Sequence, residues 1–144
     1  MKLDVKFVVG AFALASAMPV AAATLIMERT ALPQPTTEGS VTYVSGGIGK
    51  TESAAMIAES KRYSLSLVFS DNKRNEYLAD VHVTIQDRGG TDVLSTVSEG
   101  PIMLVKLPAG SYTVIAEAYG KGLRTRVRVT AAGEQRLDFH WPRV

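Results

Sequence analysis

Asp80-Val81-His82-Val83-Thr84-Ile85 alternates apolar and polar side chains without a break from Val81 onward. Successive side chains of an extended chain leave opposite faces, so Val81, Val83 and Ile85 enter a dry interior while His82 and Thr84 meet water. A helix would scatter the same residues around its circumference. The stretch therefore predicts a half-buried strand, and the residues on both sides repeat the pattern. Upstream, Tyr63, Leu65, Leu67 and Phe69 share one face of the run Tyr63 to Phe69. Downstream, Arg88-Gly89-Gly90-Thr91 turns into Asp92 to Val97, with Val93 and Leu94 as its apolar members, and Glu99-Gly100-Pro101 turns into Ile102 to Leu107. Pro108-Ala109-Gly110 breaks that strand before Ser111 to Ala118, where Tyr112, Val114 and Ala116 share a side. Gly120-Lys121-Gly122 leads to Leu123 to Thr130, with Val127 and Val129 inward. Ala132-Gly133-Glu134 leads to Arg136 to Trp141, with Leu137, Phe139 and Trp141 inward.

About seven short strands, with turn signals every 8–12 residues or so, form the pattern of a β-sandwich. One wet face per sheet implies mainly antiparallel pairing. For the last two strands the pattern predicts a hairpin centred on Gly133. Val129 then faces Leu137, Arg128 faces Asp138, and Arg126 faces His140.

Before Arg62 the pattern changes. Thr51 to Lys61 is the one helical candidate: Thr51 or Ser53 can cap it, Glu52 suits the first turn and Lys61 the last. Ala54, Ile57 and Lys61 share a face that would lie on a sheet. Thr24 to Ser40, with Pro33, Pro35 and Gly39, reads as a tether without regular structure. Met1 to Ala23 reads as a secretory signal, with Lys2 and Lys6, an apolar run from Phe7 to about Ala17, Pro19, and the small residues Ala21 to Ala23. That run is shorter than the roughly 20 residues a membrane-crossing helix needs, so no anchor is expected after cleavage. The expected organisation is a signal over 1–23, a tether over 24–40, and a sandwich domain over 41–144 with a short helix near 51–61. The expected location is periplasmic or secreted.

The chain has 144 residues, of which 46% are hydrophobic, and no cysteine. Disulfides, cysteine-ligated zinc and thiol chemistry are thereby excluded. The formal charge is +2, and it falls to +1 once Lys2, Asp4 and Lys6 are removed. A near-neutral exported chain is not expected to bind nucleic acid.

Several segments carry a family resemblance. They are Tyr77 to Ile85, Asp87-Arg88-Gly89-Gly90, Gly100-Pro101-Ile102-Met103-Leu104, and above all Leu107-Pro108-Ala109-Gly110-Ser111-Tyr112-Thr113-Val114. Together they resemble the carboxypeptidase regulatory-like, or transthyretin-like, β-sandwich family. With Tyr43-Val44-Ser45-Gly46-Gly47-Ile48-Gly49 and Phe139-His140-Trp141 added, the chain is similar to small exported bacterial proteins carrying such a domain. The resemblance implies a transthyretin-like or immunoglobulin-like antiparallel sandwich and supplies no catalytic residue. An enzyme of transthyretin-like fold that hydrolyses 5-hydroxyisourate ends in Tyr-Arg-Gly-Ser, which Trp141-Pro142-Arg143-Val144 does not match.

Gly46-Gly47-Ile48-Gly49-Lys50-Thr51 imitates a phosphate-binding loop, but Val44 occupies the position of that motif's first glycine. A turn leading into the helix is the expected reading, without nucleotide. His82 and His140, the only histidines, are expected outward on strands and without metal-ligand partners. The expectation is thus a chain that is not an enzyme, with no catalytic, cofactor-binding or metal-binding residue. An interaction surface is expected at Arg124, Arg126, Arg128 and His140, meeting an envelope protein or an anionic glycan. The alternative is a small hydrolase or small-ligand-binding protein, with Tyr43 to Thr51 and Asp71 to Tyr77 forming a cleft.

Overall fold

Nine strands among the described residues form two sheets that face each other across one interior. The structure is a computed structural model and describes residues 32–71 and 77–142. It runs β1 (Thr36–Glu38), β2 (Val41–Gly46), helix α1 (Lys50–Glu59), β3 (Leu65–Asp71), β4 (Val81–Gln86), β5 (Asp92–Ser98), β6 (Ile102–Lys106), β7 (Gly110–Ala118), β8 (Lys121–Val129) and β9 (Gln135–Trp141). The first sheet has the order β1-β2-β6-β3-β9 and the second β5-β4-β7-β8. Among the described residues the fold is a mainly β, antiparallel-rich sandwich with one α-helix. The expected signal over 1–23, and residues 24–31 of the expected tether, lie outside the described residues.

Alternation fills the space between the sheets. Val81, Val83 and Ile85 of β4 are fully buried while His82 between them is exposed. Across the gap, Leu65, Leu67 and Phe69 of β3 do the same. Strand β6 is buried on both faces, which explains the unbroken run Ile102-Met103-Leu104-Val105. Met103 and Val105 enter the main interior, while Ile102 and Leu104 join Val44 and Met56 in a second apolar cluster beneath α1.

The helix docks by a different face from the one expected. Met56 is fully buried, whereas Ile57 of the expected stripe is exposed. Burial of one such side chain contributes roughly 1.5–3 kcal/mol, enough to fix a ten-residue helix whose own amphipathicity is slight. Two further differences stand out. Residues of the expected tether form β1, which pairs with β2 through Thr36↔Tyr43 and Glu38↔Val41, reversing at Gly39 with φ of 59°. And β8 and β9 are not a hairpin. Strand β8 ends the second sheet beside β7, with Arg128 opposite Ser111, whereas β9 runs parallel to β3 in the first sheet, with Leu137 opposite Leu67. The intervening turn carries the chain from one sheet to the other, so Val129 and Phe139 still enter the same interior.

The Leu-Pro-Ala-Gly-x-Tyr segment closes on itself, because the Tyr112 hydroxyl donates to the Pro108 carbonyl at 2.7 Å. Burial raises the Tyr112 pKa, and nearby Asp87 adds to the effect. Tyr63 is raised in the same direction, by burial first and then by Glu59. Both phenols therefore keep their protons in the folded chain at a pH where the unfolded chain has begun to lose them. Stability is expected to hold up to about pH 10 and to fall as pH rises further. Melting temperatures followed from pH 8 to 12 test this. The fall should be shallower in Tyr112→Phe, and an identical slope in wild type and variant would refute it.

Candidate functional site

The first sheet is only partly covered on its outer side. Helix α1 lies over β2 and β6 and gives way to a 3-10 turn at Ser60–Arg62; beside it the outward side chains of β9 are exposed, while Ser66 and Val68 of β3 are buried. A groove of ≈ 870 Å³ results. Its floor is Ser66, Val68 and Ile102, its walls are Ala54 and Ile57 of α1 and Arg136 of β9, and Tyr77 closes one end. The loop Gly47 to Lys50 lines the same end, beyond the Gly46↔Ile102 and Ile102↔Val68 pairs.

That loop is held by the helix it introduces. The Gly47 N–H donates to Glu52 Oε1 at 2.8 Å, and Ser53 Oγ donates to the Gly47 carbonyl at 2.6 Å. Gly47 and Gly49 have φ of 94° and 85°, which a side chain would strain. A phosphate cradled here would need the amide that the Glu52 carboxylate already takes, and would meet that negative charge.

The groove concentrates the apolar surface of the fold. Ile48, Ile57, Tyr77, Val97 and Tyr119 are the large apolar side chains exposed among the described residues, and Ile48, Ile57 and Tyr77 line this one groove at 66%, 59% and 68% exposure. Exposed apolar groups gathered in a concavity mark binding surface, whereas singly scattered ones need no explanation. Three charged side chains line it, the cations Lys50 and Arg136 and, beside the Leu65↔Gln135 pair, the acid Glu134. Arg136 is paired with Asp138 at 3.1 Å, while Lys50 has no ion-pair partner among the described residues.

Further along the same outer face, Ser70 of β3 lies opposite His140 of β9, with Ser70 Oγ and His140 Nδ1 2.9 Å apart in a hydrogen bond. Ser70 also bridges to Tyr77 at the groove's end. His82, on the other sheet, shares a 3.3 Å hydrogen bond with Ser95.

The residues expected to form one interaction surface are split. Arg124, Arg126 and Arg128 share the outer face of the second sheet, and His140 belongs to the outer face of the first. The cleft between Tyr43–Thr51 and Asp71–Tyr77 does form at Gly47 to Lys50 and at Tyr77; residues 72–76 lie outside the described residues. Missed by the sequence reading were Ser66, Val68, Ile57 and Arg136. The signal for the floor was Leu67-Val68-Phe69, where three consecutive apolar residues break the alternation and place Val68 on the outer face. Among the described residues no group of three His, Cys, Asp or Glu side chains could hold a metal ion, and no helix is long and apolar enough to cross a membrane.

The fold and site thus define a β-sandwich with an apolar groove between its helix and a sheet edge. No family model matches the chain, and no curated protein matches it. Among solved structures it is similar to the 5-hydroxyisourate hydrolase of Klebsiella pneumoniae, at 17% identity and a TM-score of 0.46, over 56% of this chain and 90% of that one. The matched protein is an enzyme, which corrects the expectation that the chain is not one. The likeness concerns the fold alone.

Proposed function

We propose that the chain binds a small amphipathic molecule, an apolar body with one acidic group, in the groove between α1 and β9. The observation that carries this reading is the gathering of Ile48, Ile57 and Tyr77 around an apolar floor of Val68 and Ile102. Lys50, without an ion-pair partner among the described residues and at the end of the groove away from Glu134, supports an acidic group in the ligand. A volume of ≈ 870 Å³ lies within the usual range for small-molecule sites. Titration of the full chain with dansylated undecanoate tests the reading. Val68→Asp and Ile57→Asp place a charge against the ligand's apolar body, and each is expected to weaken binding by about tenfold or more, about 1.4 kcal/mol. Lys50→Gln is expected to weaken the acid more than the matching alcohol. Affinity unchanged in both aspartate variants would sink the proposal.

A second reading, ester hydrolysis at the end of this groove, is favoured by the Ser70–His140 hydrogen bond. Ser70 Oγ would attack the ester carbonyl as its proton passes to His140 Nδ1, and that proton would leave with the alcohol. Water would then release the acid and restore Ser70. Turnover of p-nitrophenyl butyrate lost in both Ser70→Ala and His140→Ala supports this reading, and turnover retained in Ser70→Ala removes it.

A further inference from the structure

The outer face of the second sheet carries a second, independent feature. Arg124, Arg126 and Arg128 project from β8, and the turn between β4 and β5 adds Arg88. Alternate residues on a strand are roughly 6.7 Å apart, so the three β8 guanidinium groups form a comb about 13 Å long. Arg88, Arg126 and Arg128 border one depression of ≈ 480 Å³ together with Ser111 and Thr113. The register sets these hydroxyls beside the arginines, Ser111 opposite Arg128 and Thr113 opposite Arg126. No acidic side chain of the described residues lies within ion-pair distance of any of the four arginines. Asp87 borders the same depression, but its Oδ1 accepts the N–H groups of Gly89 and Thr91, at 2.9 and 3.0 Å, and so serves the turn.

We infer that this comb binds an acidic polysaccharide lying along β8, its carboxylate or sulfate groups on the guanidinium groups and its hydroxyls on Ser111 and Thr113. Arginine suits this chemistry because its planar fork holds an oxyanion by two parallel hydrogen bonds. A linear polymer fits because the charges are collinear and evenly spaced. A membrane surface fits less well, since β8 carries no exposed large apolar side chain that could enter a bilayer. A protein partner would want a buried aromatic or aliphatic anchor, which the comb does not offer.

Affinity electrophoresis of the full chain in gels containing polygalacturonate or dextran sulfate tests the inference, with neutral dextran as the blank. Retardation is expected in the acidic gels, weakening steeply with added salt. The double variant Arg126→Gln/Arg128→Gln should lose at least tenfold in affinity, and Arg88→Gln less. Lys106→Gln, on the other sheet and in neither depression, should bind as wild type. These arginines are exposed, so the variants should fold, which circular dichroism checks directly. Absence of retardation, equal retardation of the double variant, or binding to polyglutamate or phosphatidylglycerol vesicles as tight as to the polysaccharides would each overturn the inference.

Discussion

Replacing Trp141 with alanine is expected to lower the melting temperature by about 15–25 °C, from a loss of roughly 3–5 kcal/mol. The indole is 1% exposed and packs with its ring centroid 6.3 Å from those of Phe69 and Phe139, which are themselves 5.9 Å apart. Removing it opens a cavity that two neighbouring aromatic rings cannot close. It also removes the indole N–H that donates to the Lys121 carbonyl at 3.0 Å. Lys121 opens β8 and Trp141 ends β9, so this bond ties the edges of the two sheets to each other. Trp141→Phe separates the two contributions. It keeps most of the packing and is expected to cost about 1 kcal/mol for the lost bond. Thermal unfolding monitored by circular dichroism gives both values. A shift under about 5 °C for the alanine variant would mean that the core does not depend on this ring.

Gly100→Ala is the second large effect, at about 2–3 kcal/mol. A methyl group on Gly100 would overlap the carbonyl oxygen, carbonyl carbon and Cα of Gly46. These are backbone atoms of β2, which is hydrogen-bonded into the sheet through Gly46↔Ile102 and cannot swing aside as a side chain could. The turn is also fastened from within, because the buried Ser98 hydroxyl donates to the Gly100 carbonyl at 2.7 Å. Gly133→Ala serves as the contrast. A methyl group there would meet nothing within 4 Å, and its melting temperature should match wild type within about 2 °C. Equal stability of the two variants would show that the close approach at Gly46 imposes no constraint.

How far the sequence disclosed this architecture depends on what alternation encodes. It specifies which side of a strand is dry, and on that point Val83, Phe69, Val114 and Trp141 all behave as expected. It does not specify which neighbour a strand takes. Val129 and Phe139 satisfy the same interior whether β8 and β9 form a hairpin or lie in opposite sheets, and the chain crosses between sheets. The pairing of Arg128 with Asp138 disappears as a result. Asp138 is held by Arg136 instead, and no acid among the described residues pairs with the β8 arginines. The helix was legible as a helix, but its docking face was not. Ala54, Ile57 and Lys61 share a stripe of their own, and only the position of β6 beneath the helix selects Met56.

The groove was less legible than the fold. The loop around Gly47 to Lys50 drew attention for a motif it does not complete, while its place as one end of a concavity depends on β3 and β9 being neighbours. The Ser70–His140 contact has the same origin, since nothing local to either residue announces it. The arginine comb, by contrast, is visible in Arg124 to Arg128 directly, because alternate positions of one strand need no tertiary information to share a face.

The parallel pairing of β3 with β9 also shapes how the protein comes to be made. Ser70 and His140, opposite one another in that ladder, are 70 residues apart in the chain. Such distant partners make for slow folding, because a long loop must be closed before any contact rewards it. On the ribosome, β3 waits with one edge unpaired until β9 emerges, and an unpaired edge invites another copy's strand. Stalled or prematurely terminated chains of this protein should therefore be the ones that aggregate.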